Sequence, residues 1–298
     1  LSQLIQTLIN GVALGGQYTL LVLGFSIIWG VLGVINFAHG EFVMLGAYGA
    51  WIASEEWGLE PVVSAVPIFF IMFAVGFVLQ KTVVNRVIDR EHLVSLLVMF
   101  AVSIIIANVV KLRYAADFRR TKTEFDGFWA LGDSITIPRA RTIVLIAAVL
   151  VLVALSQFLQ HTRLGKSIRA AAQNREAAQI VGIDIKWVYA FTFALCIGIT
   201  SLGGALAAPV IPVFPFMGPP LTLYAFVITA LSGLGSVRGA FGGAMALGIL
   251  QAFVARYAPW GIGTNLAVIV AFGLLVVTLV TRPQGLFGGL APVDAGAK

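Results

Sequence analysis

The stretch "GVINFAHGEF", residues 33–42, places Asn36, His39 and Glu41 between two runs of almost wholly apolar sequence, with Gly33 and Gly40 beside them. Such a group is either a turn in water or an interruption at depth in a membrane, and the fold depends on which solvent surrounds the chain. Of the 298 residues 59% are hydrophobic and 11% charged, with a mean hydropathy of +0.98, whereas soluble domains carry about 25% charged residues. Long apolar runs recur from end to end with no hydrophilic domain between them. The chain is therefore expected to be an integral membrane protein, a single domain over residues 1–298.

A helix needs about 20 apolar residues to cross a hydrocarbon core. Candidate segments lie near residues 5–31, 37–54, 62–80, 93–110, 142–159, 187–208, 221–235, 238–256 and 264–281. The 221–235 segment is short for a crossing and 37–54 begins at the polar stretch, so either is a candidate half-helix. The expected fold class is an all-α polytopic bundle of eight or nine transmembrane helices with broken or short members. A membrane barrel is excluded, because it would show alternating segments of about ten residues. The first segment is long, lacks a basic start and runs straight into more membrane sequence, so it is expected to belong to the fold rather than to a cleaved signal.

Several functional classes fall away. The lone Cys196 lies inside a candidate span and cannot form an internal disulfide or a thiolate metal site. His39 and Glu41, two residues apart, do not share a helical face, and no further His or Cys cluster accompanies them, so no metal site is expected. No GxxxxGK[ST] sequence is present, so the chain is not expected to hydrolyse ATP; the glycine pairs in "SLGGALA" and "FGGAMALG" read as helix-packing faces. The net charge of +6 reports membrane orientation rather than nucleic-acid binding.

Residues 160–186 hold Arg163, Lys166, Arg169, Arg175 and Lys186 against Glu176 and Asp184, which makes this loop the foremost cytoplasmic candidate. Residues 81–92, with Lys81, Arg86 and Arg90, are the next. Both are inside if the spans at 93–110 and 142–159 form one out-and-back pair, which puts 111–141 outside despite its seven basic residues. Within the first loop, "SIRAAAQNREAAQIVG" offers Ser167 as an N-cap, a run of helix formers and Gly182 as a stop. Ile168, Ala172, Ala178 and Val181 make a partly apolar face beside Arg169, Arg175 and Glu176. A basic amphipathic helix fits a lipid surface and a protein partner equally well.

The residues "REAAQIVGI" shift that balance. Glu176, Ala177 and Ala178, with Gly182 four residues on, resemble the coupling loop of bacterial ABC importer permeases, which contacts the ATP-hydrolysing subunits. Together with "GVINFAHGEFVMLGAY", "LSGLGSVRGAFGGA" and the terminal "RPQGLFG", in order from about Gly11 to Gly288, the pattern resembles the branched-chain amino acid permease family. The chain opens at Leu1, a departure from that pattern. The resemblance implies an inner-membrane permease subunit without an ATPase site or cofactor of its own. It further implies a second homologous permease, two cytosolic ATP-binding subunits and a periplasmic substrate-binding protein. Arg169, Arg175, Glu176, Ala177, Ala178 and Gly182 would form the coupling surface. Branched-chain amino acids are the substrate implied; urea, short amides and small organic acids are handled by similar permeases, and an ion-coupled secondary transporter using His39 and Glu41 is the alternative of another class.

A charge at membrane depth costs roughly 2.5–3.5 kcal/mol on insertion scales, so Asn36, His39 and Glu41 need a reason if they lie there. Broken helices are tolerated where they are buried in protein or line a cavity. "LSGLGSVRGAFGGAMALG" interrupts the second half in a similar way with Ser236 and Arg238, and paired interruptions point to an inverted repeat with the translocation path at its interface. Asn36, His39, Glu41, Ser236 and Arg238 are thus the candidate path residues. The alternative, two aqueous turns at the membrane edge, stays open at this point.

Overall fold

A computed structural model describes residues 2–131, 135–233, 235–258, 262–282 and 285. The terminal "RPQGLFG" motif, apart from Arg282 and Gly285, and Leu234 of the glycine-rich turn lie outside the described residues. The helices are α1 (Ser2–Leu32), α2 (His39–Trp57), α3 (Pro61–Thr82), α4 (His92–Tyr114), α5 (Arg139–His161), α6 (Arg163–Gln173), α7 (Arg175–Ile180), α8 (Ile185–Ala207), α9 (Gly218–Ser232), α10 (Val237–Tyr257) and α11 (Gly263–Thr281). Each of the nine apolar segments read from the sequence has become one helix, with ends moved by a few residues. Six of them are long and apolar enough to cross a bilayer by length and composition, while α2, α9 and α11 are shorter or more polar. The protein is a multi-pass helical membrane protein.

The apolar windows of α1 and α8 are 83% buried, against 28% for α3 and α4 and 17% for α5. α1 and α8 therefore form the axis of the bundle, and α3, α4 and α5 turn residues such as Phe70, Ile105 and Leu150 outward, where lipid is the solvent. α1 and α8 run antiparallel, since Gly24 lies against Thr200 and Gly203 against Leu20. α1 meets α10 in the same sense, with Gly11 on Ile249 and Gly15 on Met245. In lipid, where apolar burial does not by itself drive helices together, small residues matter because they let backbones approach.

Two ends of the bundle can be distinguished from contacts alone. At one, the Gln6 amide exchanges hydrogen bonds of 2.8 Å with the backbone of Thr136, and the Glu60 carboxylate accepts from Thr123 Oγ1 and the Glu124 N–H. The start of α1, the α2–α3 turn and the 115–138 connection thus share one end. At the other, Arg175 pairs with Asp89, tying the two basic loops together as the out-and-back pairing of α4 and α5 requires.

The structure adds a feature that the reading as a loop did not contain. Between α4 and α5, strands β1 (Phe128–Leu131) and β2 (Ile135–Pro138) form an antiparallel pair with Trp129 opposite Ile137. Ile135, Thr136 and Ile137 are β-branched and suit a pleated surface, and Gln6 pairs with the backbone of Thr136 in β2. Of the seven basic residues assigned to this connection, Lys111 and Arg113 close α4, where they complement its C-terminal dipole, and Arg139 and Arg141 open α5.

In the core α2 approaches α8 at backbone contact. A Cβ on Gly46 would lie 1.9 Å from the Ser201 carbonyl oxygen, and one on Gly204 would lie 2.0 Å from that of Val43. Gly46→Leu is expected to destabilise the detergent-solubilised protein by about 3 kcal/mol or more, since the obstacle is backbone. Gly273→Ala on α11, where a Cβ meets nothing within 4 Å, is expected to be neutral. Thermal unfolding followed by tryptophan fluorescence measures both, and equal effects would contradict this packing.

Candidate functional site

α1 ends at Leu32, and Gly33 takes a positive φ of 65°. The chain then turns back into the protein. His39 Nε2 lies 2.7 Å from the carbonyl oxygen of Leu21, a residue about 16 Å back along α1 at the helical rise of ~1.5 Å per residue. The six residues from 33 to 38, extended, reach about 20 Å, so they cover this return without helical structure. α2 consequently starts near mid-depth rather than at a membrane surface. Because its partner is a carbonyl, His39 Nε2 is the protonated nitrogen, and Nδ1 is left as a buried acceptor with no partner.

Asn36, His39 and Glu41 are all fully buried, which rules out the aqueous-turn reading of this stretch. Asn36 Oδ1 accepts from the Ala38 N–H at 3.1 Å, and the Asn36 carbonyl accepts from the His39 N–H at 3.2 Å, so this side chain shapes the entry to α2. Glu41 in the first turn of α2 accepts a 2.7 Å hydrogen bond from Ser103 Oγ of α4, and its other oxygen, Oε2, has no partner. The start of α9 meets it there. A Cβ on Gly218 would lie 2.6 Å from Glu41 Oε1, one on Gly40 would lie 1.9 Å from the Gly218 carbonyl, and the Gly40 N–H donates to Thr222 Oγ1 at 2.8 Å. Two helix N-termini therefore converge on one carboxylate. The positive dipole ends of both helices lie beside this acidic residue, which no cation pairs among the described residues.

The second interruption lies elsewhere than the sequence pattern suggested. Ser236 caps α10 by accepting from the Gly239 N–H at 3.0 Å, and Arg238 is exposed. This turn packs against Gly30, about 14 Å along α1 from the Leu21 level. The counterpart of the first break is instead the connection at 208–217 that leads into α9. It carries Pro209, Pro212 and Pro215, with Pro219 and Pro220 opening the helix. Val213 exchanges backbone hydrogen bonds of 2.8 and 2.9 Å with Arg119. α9 has 15 residues, about 22 Å, which is short of a ~30 Å core. Gly218, Thr222 and Ser103 were not singled out beforehand. The proline run was the available signal for the first two, whereas a single serine in an apolar helix commonly satisfies itself and carries none.

At the opposite end, the basic loop forms two helices rather than one. Thr162, not Ser167, caps α6 by accepting from the Gly165 N–H at 2.9 Å, and Ser167 Oγ donates back to the Arg163 carbonyl. Asn174, in extended conformation, ends α6 and caps α7 by accepting from the Ala177 N–H at 2.9 Å. Gly182 takes a φ of 86°, the left-handed stop expected of it. Ile168 and Ala178 are buried as expected, but Val181 is 75% exposed and Ile180 86% exposed. Exposed Glu176 and Ala177 flank these two apolar side chains, and Arg169 is exposed on α6. Arg175 bonds Asp89 and lies over Tyr189 of α8. That hydrogen bond holds the Asp89 carboxyl below the usual carboxylate range, so the tie is complete at neutral pH and is lost as acid titrates it.

The family model described as "Branched-chain amino acid transport system / permease component" matches residues 7–279. The chain is similar to the high-affinity branched-chain amino acid transport system permease protein LivH of Escherichia coli K12, at 30% identity over 95% of each chain. It is 29% identical to the corresponding protein BraD of Pseudomonas aeruginosa, again over 95% of each. The probable LivH of Methanocaldococcus jannaschii is 25% identical over 90% of this chain and 88% of that one. Among solved structures, PsaBC from Streptococcus pneumoniae in complex with Fab has the same overall fold, with a TM-score of 0.51 at 12% identity over 94% of this chain and 91% of that one.

Glu41→Ala removes the acceptor for Ser103 and the carboxylate that lies between the starts of α2 and α9. It is expected to lower stability by about 1–3 kcal/mol, read as a fall of several degrees in the unfolding midpoint in detergent, while Glu56→Ala at the exposed end of α2 changes it by less than about one degree. A cysteine at position 39 should resist bulky membrane-impermeant reagents. Free labelling there, with a neutral Glu41→Ala, would contradict the mid-depth placement.

Proposed function

We infer that this chain, which belongs to the branched-chain amino acid transport permease family, is the membrane-spanning permease subunit of an ABC importer that brings branched-chain amino acids across the inner membrane. It forms one membrane domain over residues 1–298, and ATP hydrolysis resides in separate subunits. A second homologous permease, two cytosolic ATP-binding subunits and a periplasmic binding protein complete the importer. The α6–α7 end faces the cytosol, in keeping with its positive charge.

The observation that carries this reading is the presentation of α7. Ile180 and Val181 stand exposed among charged residues at the end of a short helix, a pairing of apolar anchor and polar rim suited to a protein partner. Arg169, Arg175, Glu176, Ala177, Ala178 and Gly182 form this coupling surface. Ala178 is buried beneath it, and α8 follows directly through Ile183 and the Asp184 cap. Movement of the ATPases, delivered at α7, passes along α8 to the Gly46–Ser201 and Gly204–Val43 contacts. There α8 bears on α2, and α2 on the seam with α9. The buried group of Asn36, His39 and Glu41, joined by Gly218 and Thr222, is the hinge of the path; Ser236 and Arg238 stand at its cytosolic exit.

Reconstitution tests the reading. Vesicles containing the full set of subunits should accumulate leucine only with ATP and binding protein, and the chain alone should accumulate none under a proton or sodium gradient. Gradient-driven uptake by the chain alone would replace the importer by a secondary transporter. Gly182→Leu is expected to leave the complex in the membrane while uncoupling ATP hydrolysis from uptake. Its Cβ meets nothing within 4 Å, so the effect comes from a strained φ, about 1 kcal/mol or more. A cysteine at Gln179 should be shielded by the ATPases and react from the cytosolic side only; reaction from the outer side would invert the topology.

A further inference from the structure

A cleft of about 360 Å³ opens between α1, α10 and α11, lined in part by Thr7, Asn10, Tyr18, Arg141, Tyr224 and Gln251. Its volume lies at the small end of the ~300–1,000 Å³ typical of small-molecule sites. The α1 contributors, Thr7, Asn10, Leu14 and Tyr18, recur at helical spacing and share one face. Thr7 and Arg141 lie toward the hairpin end, so the cleft descends from that end to Tyr18, one turn before the Leu21 carbonyl that holds His39. On α9, Tyr224 lines the cleft two residues from Thr222, which bonds Gly40. The floor of the cleft and the buried break therefore share one half-helix.

The cleft holds a cation and amide donors, together with hydroxyl and amide oxygens that can each accept a further bond, as an α-ammonium requires. Tyr18, stacked on Tyr224 at 5.4 Å, donates its hydroxyl to Gln251 Oε1 at 2.5 Å. That bond takes one of the amide oxygen's two lone pairs, and Gln251, only 5% exposed, keeps Nε2 without a partner. Asn10 Oδ1 already accepts from Gln6 at 3.2 Å, which leaves Asn10 its N–H groups. Arg141 pairs with no carboxylate among the described residues. Leu14, Ala252 and Val268 supply an aliphatic wall. A guanidinium and two amide donors beside a short apolar surface match a small ligand bearing a carboxylate and a branched aliphatic tail.

We propose that the cleft between α1, α10 and α11 is an outward-facing substrate site, in which Arg141, Asn10 and Gln251 hold the carboxylate of an aliphatic amino acid and Leu14 and Val268 hold its side chain. The proposal rests on the importer reading for its direction of travel and gives that reading a specificity site within the membrane chain. Leucinamide, which keeps the side chain and ammonium but lacks the carboxylate, is the discriminating ligand.

The test uses the complete importer carrying Ala252→Cys. Native Cys196 is fully buried and does not compete for label. L-leucine should slow alkylation of the new cysteine at least fivefold and leucinamide should not; adding Arg141→Gln or Gln251→Leu should abolish the protection and reduce leucine uptake about tenfold. Rescue by Arg141→Lys to partial protection would separate charge from packing. If the vesicles accumulate leucine but leucine never protects position 252, the site is wrong and the importer reading stands. If leucine protects but is not accumulated, the site stands and the importer reading falls. Equal protection by leucinamide would overturn the carboxylate assignment.

Discussion

Backbone N–H and C=O groups cannot be left open in hydrocarbon, where each unsatisfied group costs several kcal/mol. This protein nevertheless breaks its helical ladder twice, at residues 33–38 and at 208–217, the second running from the hairpin end, where Val213 pairs with Arg119, to the level of Glu41. The first break survives because it is buried in protein, and the second because its backbone bonds the 115–138 connection before α9 begins. α2 and α9 begin side by side, so the N–H of Gly40 finds Thr222. The Asn36 side chain and carbonyl take up the Ala38 and His39 donors. Glu41 sits where both positive helix ends meet, and Ser103 bonds one of its two oxygens. A glycine on each side is required, since any Cβ at position 40 or 218 would collide with the partner segment.

This seam gives the axial pair, α1 and α8, a mechanical meaning. α1 anchors His39 through the Leu21 carbonyl, and α8 presses on α2 at backbone contact through Gly46 and Gly204. Contacts of backbone on backbone transmit displacement with little slack, because there is no side chain to rotate away. The end of α8 that carries α7 is also clamped to the α3–α4 connection by Arg175 and Asp89. Ile180 and Val181 therefore project from a platform braced on two sides.

The outer cleft and the buried break lie on opposite faces of one short helix, with Tyr224 on one and Thr222 on the other. A half-helix of 15 residues ending in glycine-rich sequence is free to tilt without dragging a full membrane span. Its tilt would alter the cleft and the seam together.

The positions of the nine apolar segments were legible in the sequence, because spanning a bilayer demands an uninterrupted apolar run and little else. Gly182 as a helix stop was equally plain, since a left-handed φ selects glycine locally. Other features depended on neighbours that no local pattern reports. Ser167 has the chemistry of a cap, yet Thr162 caps α6, which starts before Ser167, and Asn174 caps α7, whose Arg175 meets Asp89 and Tyr189. Val181 follows the apolar period of the loop but stands outside, its helix having ended a residue earlier. Asn36, His39 and Glu41 were recognisable as an anomaly, but their depth was not, because the polar stretch reads the same in a turn at the surface and in one folded back about 16 Å. Sequence determines which residues prefer lipid and which cannot stay helical; only tertiary contact decides how deep an interrupted chain lies, since depth is set by the partner groups that satisfy it.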